Sequence, residues 1–360
     1  MVWFRKKLMG RYFIILILAF MILVSIFYAS SISKPKKMTN IEIPAIEIPI
    51  IEISAWVAYW NGEQALEELP ILIDNMSSVQ AFGAIFDEDD KIIFPSKYRN
   101  ILPKIKLICN EYNKKLYLTI VNDRINANEN ITQKDSKMLK RILISKEKRD
   151  SHIEEILDNA KQGGYNGVEI DYEKIDKDTL ESFSIFIKEL YSKLELEGIE
   201  LRVILEPNIK LDKINLPEGP DYLIMAYNLY GNHSGPGPKA DIEFIKKLSA
   251  KMDNVTGKKW MAFSTGGFDW KEGVSPRSLT EKEAIVLAKD KNAKINRDEA
   301  SGGAYFEYMD EDGAEHSVWY ADEKTLDLWI KTSKECGYEN IALWKLGGNE
   351  EGTLRYIKKF

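Results

Sequence analysis

From residue 53 onward the chain alternates between two hydrophobic periods. Short apolar runs, each bounded by polar, Gly or Pro residues, occur at Ile53–Trp60, Val79–Phe86, Lys115–Asn122, Gly167–Glu173, Glu200–Glu206, Tyr222–Asn228, Lys259–Thr265 and Asn340–Leu346. Their length and bounds predict strands. Most of the segments between them carry apolar residues at three- and four-residue spacing, the period of an amphipathic helix. In the clearest of these, Leu180, Phe183, Ile187, Leu190 and Leu194 form one stripe. Asp178 with Glu181 predicts a capping box at its start, and Gly198 predicts its stop. Strand and helix alternating eight times predict an α/β fold, a (β/α)8 TIM barrel over residues 52–360. An open doubly wound sheet is the alternative, and eight strands fit closure better.

Two segments interrupt the alternation. Asn122–Ser151 reads as a long polar loop after the third strand. Gly266–Tyr338 separates the last two strands by far more than one helix. Within it, Tyr305–Met309 and Ser317–Tyr320 flank Asp310-Glu311-Asp312-Gly313, which predicts a small hairpin inserted between strands seven and eight.

The N-terminal region has a different pattern. Tyr12–Ala29 is an 18-residue stretch without a charge, preceded by Arg5, Lys6, Lys7 and Arg11. At about 1.5 Å per residue such a helix nearly crosses a hydrocarbon core. The alternative is a cleaved signal peptide with its small-residue site near Ala29–Ser31; the length of the apolar run favours a single uncleaved transmembrane helix. The division is then a basic cytoplasmic N-terminus (1–11), an anchor (12–30), an extended linker (31–51) and the barrel (52–360). Pro44 and Pro49, in the imperfect repeat Ile41–Ile53, exclude a helix from the linker. Basic residues adjoining the N-terminal side place that end in the cytoplasm and the barrel outside, in the membrane-anchored or secreted case alike.

Charge sharpens the picture. The chain has 360 residues and a net charge of −6. Residues 1–37 hold seven Lys or Arg and no acid, which leaves 43 basic against 56 acidic residues in the rest. An acidic ectodomain argues against nucleic acid and polyanions as partners. Two cysteines, Cys109 and Cys336, exclude a disulfide framework, and both read as apolar positions. His152, His233 and His316 are far apart, and HExxH, CxxC, GxxxxGKS/T and GxGxxG are absent. Standard zinc and nucleotide chemistry has no support.

The candidate chemistry lies in the fourth strand. In Gly167-Val168-Glu169-Ile170-Asp171-Tyr172-Glu173, alternation puts Glu169, Asp171 and Glu173 on one face. Three carboxylates on one face of an apolar strand repel one another, and repulsion raises a pKa toward the value a general acid needs. Glu173 ends the strand, where barrel active sites sit. An edge strand with a solvated acidic face is the plain alternative, and the apolar neighbours and central position count against it.

This run resembles the DGxDxDxE signature of glycoside hydrolase family 18, the chitinase-like barrels. Met225-Ala226-Tyr227-Asn228 is similar to that family's MxYD, and Trp344 lies in the eighth strand where the family has a tryptophan under the sugar. Phe306-x-Tyr308, Asp312-Gly313, His316 and Val318-Trp319-Tyr320-x-Asp322 resemble the bacterial branch that includes spore-cortex-lytic N-acetylglucosaminidases. The resemblance covers about residues 53–350. It implies retaining, substrate-assisted hydrolysis next to an N-acetylhexosamine, with no metal and no cofactor. Glu173 would be general acid and base, Asp171 would orient the acetamido group, and Tyr227 would hydrogen-bond its oxygen. Two departures are present: Asn166 and Glu169 stand at the family's first two Asp positions, and Asn228 replaces the Asp of MxYD. Glu169, Asn228, Trp344, Tyr59 and Trp60 are the candidate substrate contacts. Trp270, Glu206, Asn208 and His233 are further residues at the expected mouth. The implied partner is an N-acetylglucosamine-containing polysaccharide, peptidoglycan first. A chitinase or endo-N-acetylglucosaminidase on other glycans, and a weakly active glycan-binding protein, are the alternatives.

Overall fold

A computed structural model describes residues 52–126 and 130–360. The anchor and linker expected in residues 1–51 lie outside the described residues. Among the described residues, no helix is long and apolar enough to cross a membrane.

Eight parallel strands form the centre: β1 (Glu52–Ala58), β2 (Met76–Phe86), β3 (Lys115–Ile125), β4 (Gly167–Asp171), β5 (Glu200–Leu205), β6 (Asp221–Met225), β7 (Lys259–Ser264) and β8 (Asn340–Trp344). Each pairs with the next, and β8 pairs back onto β1, so the sheet closes into a barrel. Closure rules out the open sheet. Helices α1 (Gly62–Leu72), α2 (Ser96–Glu111), α3 (Ser136–Leu143), α4 (Lys146–Gly163), α5 (Leu180–Leu196) and α6 (Ile242–Lys251) follow the successive strands, and only a 3-10 turn at Leu211–Lys213 joins β5 to β6.

Strand alternation divides the apolar residues into two compartments. Outward residues such as Val168, Ile170, Val203 and Phe263 pack against the helices in the large outer core. Inward residues Trp56, Ile204, Leu223, Met225, Trp260, Ala262 and Ala342 fill the barrel lumen. This is the two-faced burial that makes parallel strands read as near-continuous apolar runs.

Three expectations need correction. The Asn122–Ser151 segment is not one loop. β3 runs on to Ile125 and pairs with Ile131–Thr132, and α3 and the start of α4 follow. The lysines of α3 and α4 hide the apolar stripe of Met138, Leu139, Ile142 and Leu143 when the sequence is read for composition. The insertion after β7 is larger than a hairpin. The expected hairpin forms, but inside a five-stranded antiparallel sheet of Arg277–Leu279, Gly266–Lys271, Glu315–Ala321, Ala304–Met309 and Asn296–Arg297. That sheet carries its own helix α7 (Glu281–Asp290), capped by a Thr280–Glu283 capping box. Finally, the Asp178–Glu181 capping box is not made. Thr179 is the N-cap, in a helical conformation, and Asp178 pairs with Lys140 instead. Two helices complete the chain, α8 (Glu323–Glu335) before β8 and α9 (Glu351–Ile357) after it.

Candidate active site

The three carboxylates of the fourth-strand motif all face the lumen, at increasing height and with different partners. Glu169 is deepest, with no exposed surface. Its carboxylate accepts hydrogen bonds from Trp56 Nε1 (2.7 Å), Thr119 Oγ1 (2.6 Å) and Arg202 Nε (2.5 Å). The Arg202 guanidinium completes a buried ion pair with it. Arg202 also donates to Ser54 Oγ at 3.2 Å and lies over the rings of Trp260 (4.7 Å) and Tyr117 (5.3 Å). Glu169, expected among the substrate contacts, is therefore part of the barrel floor, and its oxygens are engaged by the protein itself.

Asp171 ends β4 and is buried, and its Oδ1 has no hydrogen-bond partner. Burial holds its carboxyl well above the usual range, and the nearby Glu173, Glu169 and Asp123 carboxylates add to this against the opposing charge of Lys134. Glu173 lies two residues past the end of the strand pairing. A two-point clamp fixes its backbone: its N–H donates to Asn122 Oδ1 at 2.9 Å, and Asn122 Nδ2 donates to its carbonyl at 3.0 Å. Its carboxylate meets Lys134 in an ion pair and shares a hydrogen bond with Glu206. Burial pushes the Glu173 carboxyl up to about 7; Lys134 opposes that rise and Glu206 supports it.

The opposite wall comes from β6 to β8. Tyr227 is buried, and burial together with the Asp171 and Glu173 carboxylates raises its phenol well above the ordinary value. Asn228 is exposed, with φ +75°. Asparagine tolerates that left-handed conformation, in which its short side chain bonds locally. Trp344 is half-buried and sits in an aromatic row, 4.7 Å from Phe82, 5.7 Å from Trp56 and 6.2 Å from Trp60 between ring centroids. Trp60 is 46% exposed and Tyr59 stands against it at 5.0 Å, both on the 3-10 turn after β1. The structure thus brings Asp171, Glu173, Tyr227 and the Trp60–Trp344 row to one end of the barrel, where strand C-termini open.

The other candidates are elsewhere in the mouth. Trp270 is only 6% exposed and donates its indole N–H to Ser234 O at 3.1 Å, so it pins the loop after β6. His233 is exposed and lines a cleft of about 1560 Å³ between that loop and the inserted sheet. Asn208 lines a separate hollow with Leu211 and Lys251.

Asn122, Lys134 and Arg202 were missed in the sequence. Asn122 and Lys134 belong to the segment read as a polar loop, where nothing distinguishes one lysine from its neighbours. Arg202 did leave a signal, a lone cation at an inward position of the apolar run Leu201–Leu205.

A raised carboxyl beside a second, partnerless carboxyl, under a row of aromatic rings, can deliver a proton and stabilise a developing cation on a stacked ring. The family model of Glycosyl hydrolases family 18 matches residues 55–349. The chain belongs to glycosyl hydrolases family 18. Among its relatives is the cortical fragment-lytic enzyme of Bacillus subtilis (strain 168), 26% identical in an alignment 218 positions long that covers 54% of this chain and 49% of that protein. The Bacillus anthracis enzyme of the same name is 27% identical, over 55% of this chain and 50% of that one. The chain spans about half the length of these curated relatives. In fold, this family 18 chain is similar to the spore cortex-lytic enzyme SleL of Bacillus cereus, with a TM-score of 0.71, 21% identity, and coverage of 85% of this chain and 73% of that one. It is also similar to a chitinase from Chromobacterium violaceum ATCC 12472, with a TM-score of 0.74, 17% identity, and coverage of 86% and 98%.

Proposed function

We propose that this protein is a retaining glycosidase that cleaves β-linked N-acetylglucosamine glycans, with cell-wall peptidoglycan as substrate. The observation that carries the reading is the pair of lumen-facing carboxyls at the end of β4. Glu173, at about 7, carries its proton in a large fraction of the molecules at neutral pH, and Asp171 lies buried beside it with one oxygen unpartnered. Glu173 donates its proton to the glycosidic oxygen as the C1–O bond breaks. The substrate's own acetamido carbonyl attacks C1 and closes an oxazolinium ring. Asp171 stabilises the positive charge that develops on the acetamido nitrogen, and Tyr227 hydrogen-bonds the acetamido oxygen. Water then attacks C1, Glu173 takes its proton back, and the sugar leaves with retained configuration. The aromatic row of Trp60 and Trp344 supplies flat apolar faces for pyranose rings. Peptidoglycan is favoured over other glycans because relatives bear the name cortical fragment-lytic enzyme.

The test is hydrolysis by the full chain of intact peptidoglycan and of chromogenic N-acetylglucosamine and chitobiose glycosides. Glu173→Gln is expected to lower turnover by roughly 10²- to 10⁴-fold, the usual contribution of a general acid. A loss below threefold would overturn the reading.

Tyr12–Ala29 adds a second proposal: this stretch anchors the barrel on the outer face of the membrane. The protein is then expected to stay with membranes washed in alkaline carbonate. Release into the wash, or a mature N-terminus beyond Ala29, would refute the anchor.

A further inference from the structure

On the wall facing Glu173, the lumen ends in a layer set by strand register. Trp344 pairs with Ser264, and Met225 pairs with Ala262. Two residues further along, Tyr227 and Ser264 therefore stand at the same height, with Ser264 between Tyr227 and Trp344 and sharing their inward face. A lysine rests on this layer. Lys239 comes from the end of the loop after β6, and its ammonium donates to Ser264 Oγ at 2.8 Å and to Thr265 O at 2.9 Å. Thr265 is in turn tied to the tryptophan strand, since its N–H donates to Trp344 O at 3.1 Å. The Phe268 ring lies 5.4 Å from the ammonium.

All of these partners are neutral. An ammonium has three N–H donors, and two are engaged here, so one donor and the whole charge are left without an anionic partner. Among the described residues, the charge that acts on Lys239 is a second cation, Lys345. Burial and Lys345 together push Lys239 down to about 7. Lys345 differs in that Glu68 and Glu283 face it. A desolvated cation without a counter-ion is costly to keep, and folding alone gives no return for it. The cost is offset when a ligand brings the anion.

We propose that Lys239 recognises a carboxylate carried by the glycan, on a sugar adjoining the N-acetylhexosamine held by Asp171 and Tyr227. The lactyl carboxylate of a muramic acid residue that carries no stem peptide has this chemistry. The inference rests on the peptidoglycan reading and deepens it. It also lets a chain of net negative charge take an anionic substrate, because Lys239 supplies positive charge locally. A charge-assisted hydrogen bond of this kind discriminates where the neutral part of the sugar does not.

Binding, measured apart from hydrolysis, tests the site. Full-chain Glu173→Gln is titrated by calorimetry with an N-acetylglucosamine–N-acetylmuramic acid tetrasaccharide, as the free acid and as its methyl ester. The free acid is expected to bind roughly tenfold tighter than the ester, the scale of one hydrogen bond to a charged group. In Glu173→Gln with Lys239→Met, the acid-to-ester ratio is expected to fall to about one. The ratio compares two ligands on one protein, so a general loss of fold does not imitate the effect. Equal binding of acid and ester to Glu173→Gln, absence of binding by either, or a preference that survives Lys239→Met would each overturn the proposal. If the preference is present and follows Lys239 while the unmodified chain hydrolyses neither peptidoglycan nor the glycosides, the hydrolase reading fails and the carboxylate site stands.

Discussion

The floor and the mouth of one barrel lumen use the same residue type to opposite ends. At the floor, the Glu169 carboxylate meets a guanidinium, an indole N–H and a hydroxyl, so its charge and lone pairs are matched. At the mouth, two and four residues later along the same face, Asp171 keeps an unpartnered oxygen, and Glu173 shares one lysine with the carboxylates around it. Depth alone does not explain the contrast, since all three side chains are buried. What differs is the supply of opposite charge. A fully compensated carboxylate serves the fold, whereas an under-compensated one has a pKa that neighbours can move. Chemistry is available where the fold leaves charge unpaired.

The largest expected effect falls on the floor. Glu169→Ala strands Arg202 as a buried, unpaired cation and is expected to destabilise the chain by about 3–5 kcal/mol. Replacing both partners, Glu169→Leu with Arg202→Met, is expected to recover part of that loss, because two apolar side chains need no counter-charge although the Trp56 indole and the Thr119 hydroxyl lose their acceptor. Chemical denaturation of the three proteins provides the measurement. If Glu169→Ala unfolds at the same denaturant concentration as the unmodified chain, the floor is not a structural clamp and the comparison breaks.

A smaller and sharper effect is expected at the mouth. With Glu173 at about 7, the fraction carrying the transferable proton falls as pH rises above that value, so kcat/KM is expected to decline on the alkaline side. Lys134 opposes protonation of Glu173, so Lys134→Met is expected to raise its pKa and move the alkaline limb to higher pH. Glu206 favours protonation, so Glu206→Gln is expected to move the limb to lower pH. Each shift is on the order of one pH unit. Limbs that stay in place, or move in the same direction, would show that compensation does not tune Glu173.

Much of this architecture was legible in the sequence. The eight strands were readable because a parallel strand buried on both faces is short, apolar and bounded, a pattern that depends only on neighbours along the chain. Glu169, Asp171 and Glu173 were readable as one face for the same reason. Even so, β4 stops pairing at Asp171 and β6 at Met225, so Glu173, Tyr227 and Asn228 lie just past the strands expected to hold them. Polar composition disguised helix α3, and seven residues of strand in Glu315–Ala321 hid a sheet where a hairpin was expected.

What the sequence determined by itself was the alternation that closes a barrel and the set of carboxyls that its fourth strand points inward. Periodicity is local and needs no knowledge of partners. Only the tertiary structure decided which of those carboxyls is neutralised and which is left reactive. That choice depends on Arg202 from β5 and on Lys134 from beyond β3, while Asn122 within β3 fixes the backbone of Glu173. It also decided that Lys239 rests on Ser264 and Thr265, with no anion against it among the described residues. Electrostatic energy depends on distance in space, and closing the barrel brings these residues within hydrogen-bond reach of their partners across separations of up to 148 residues in the chain.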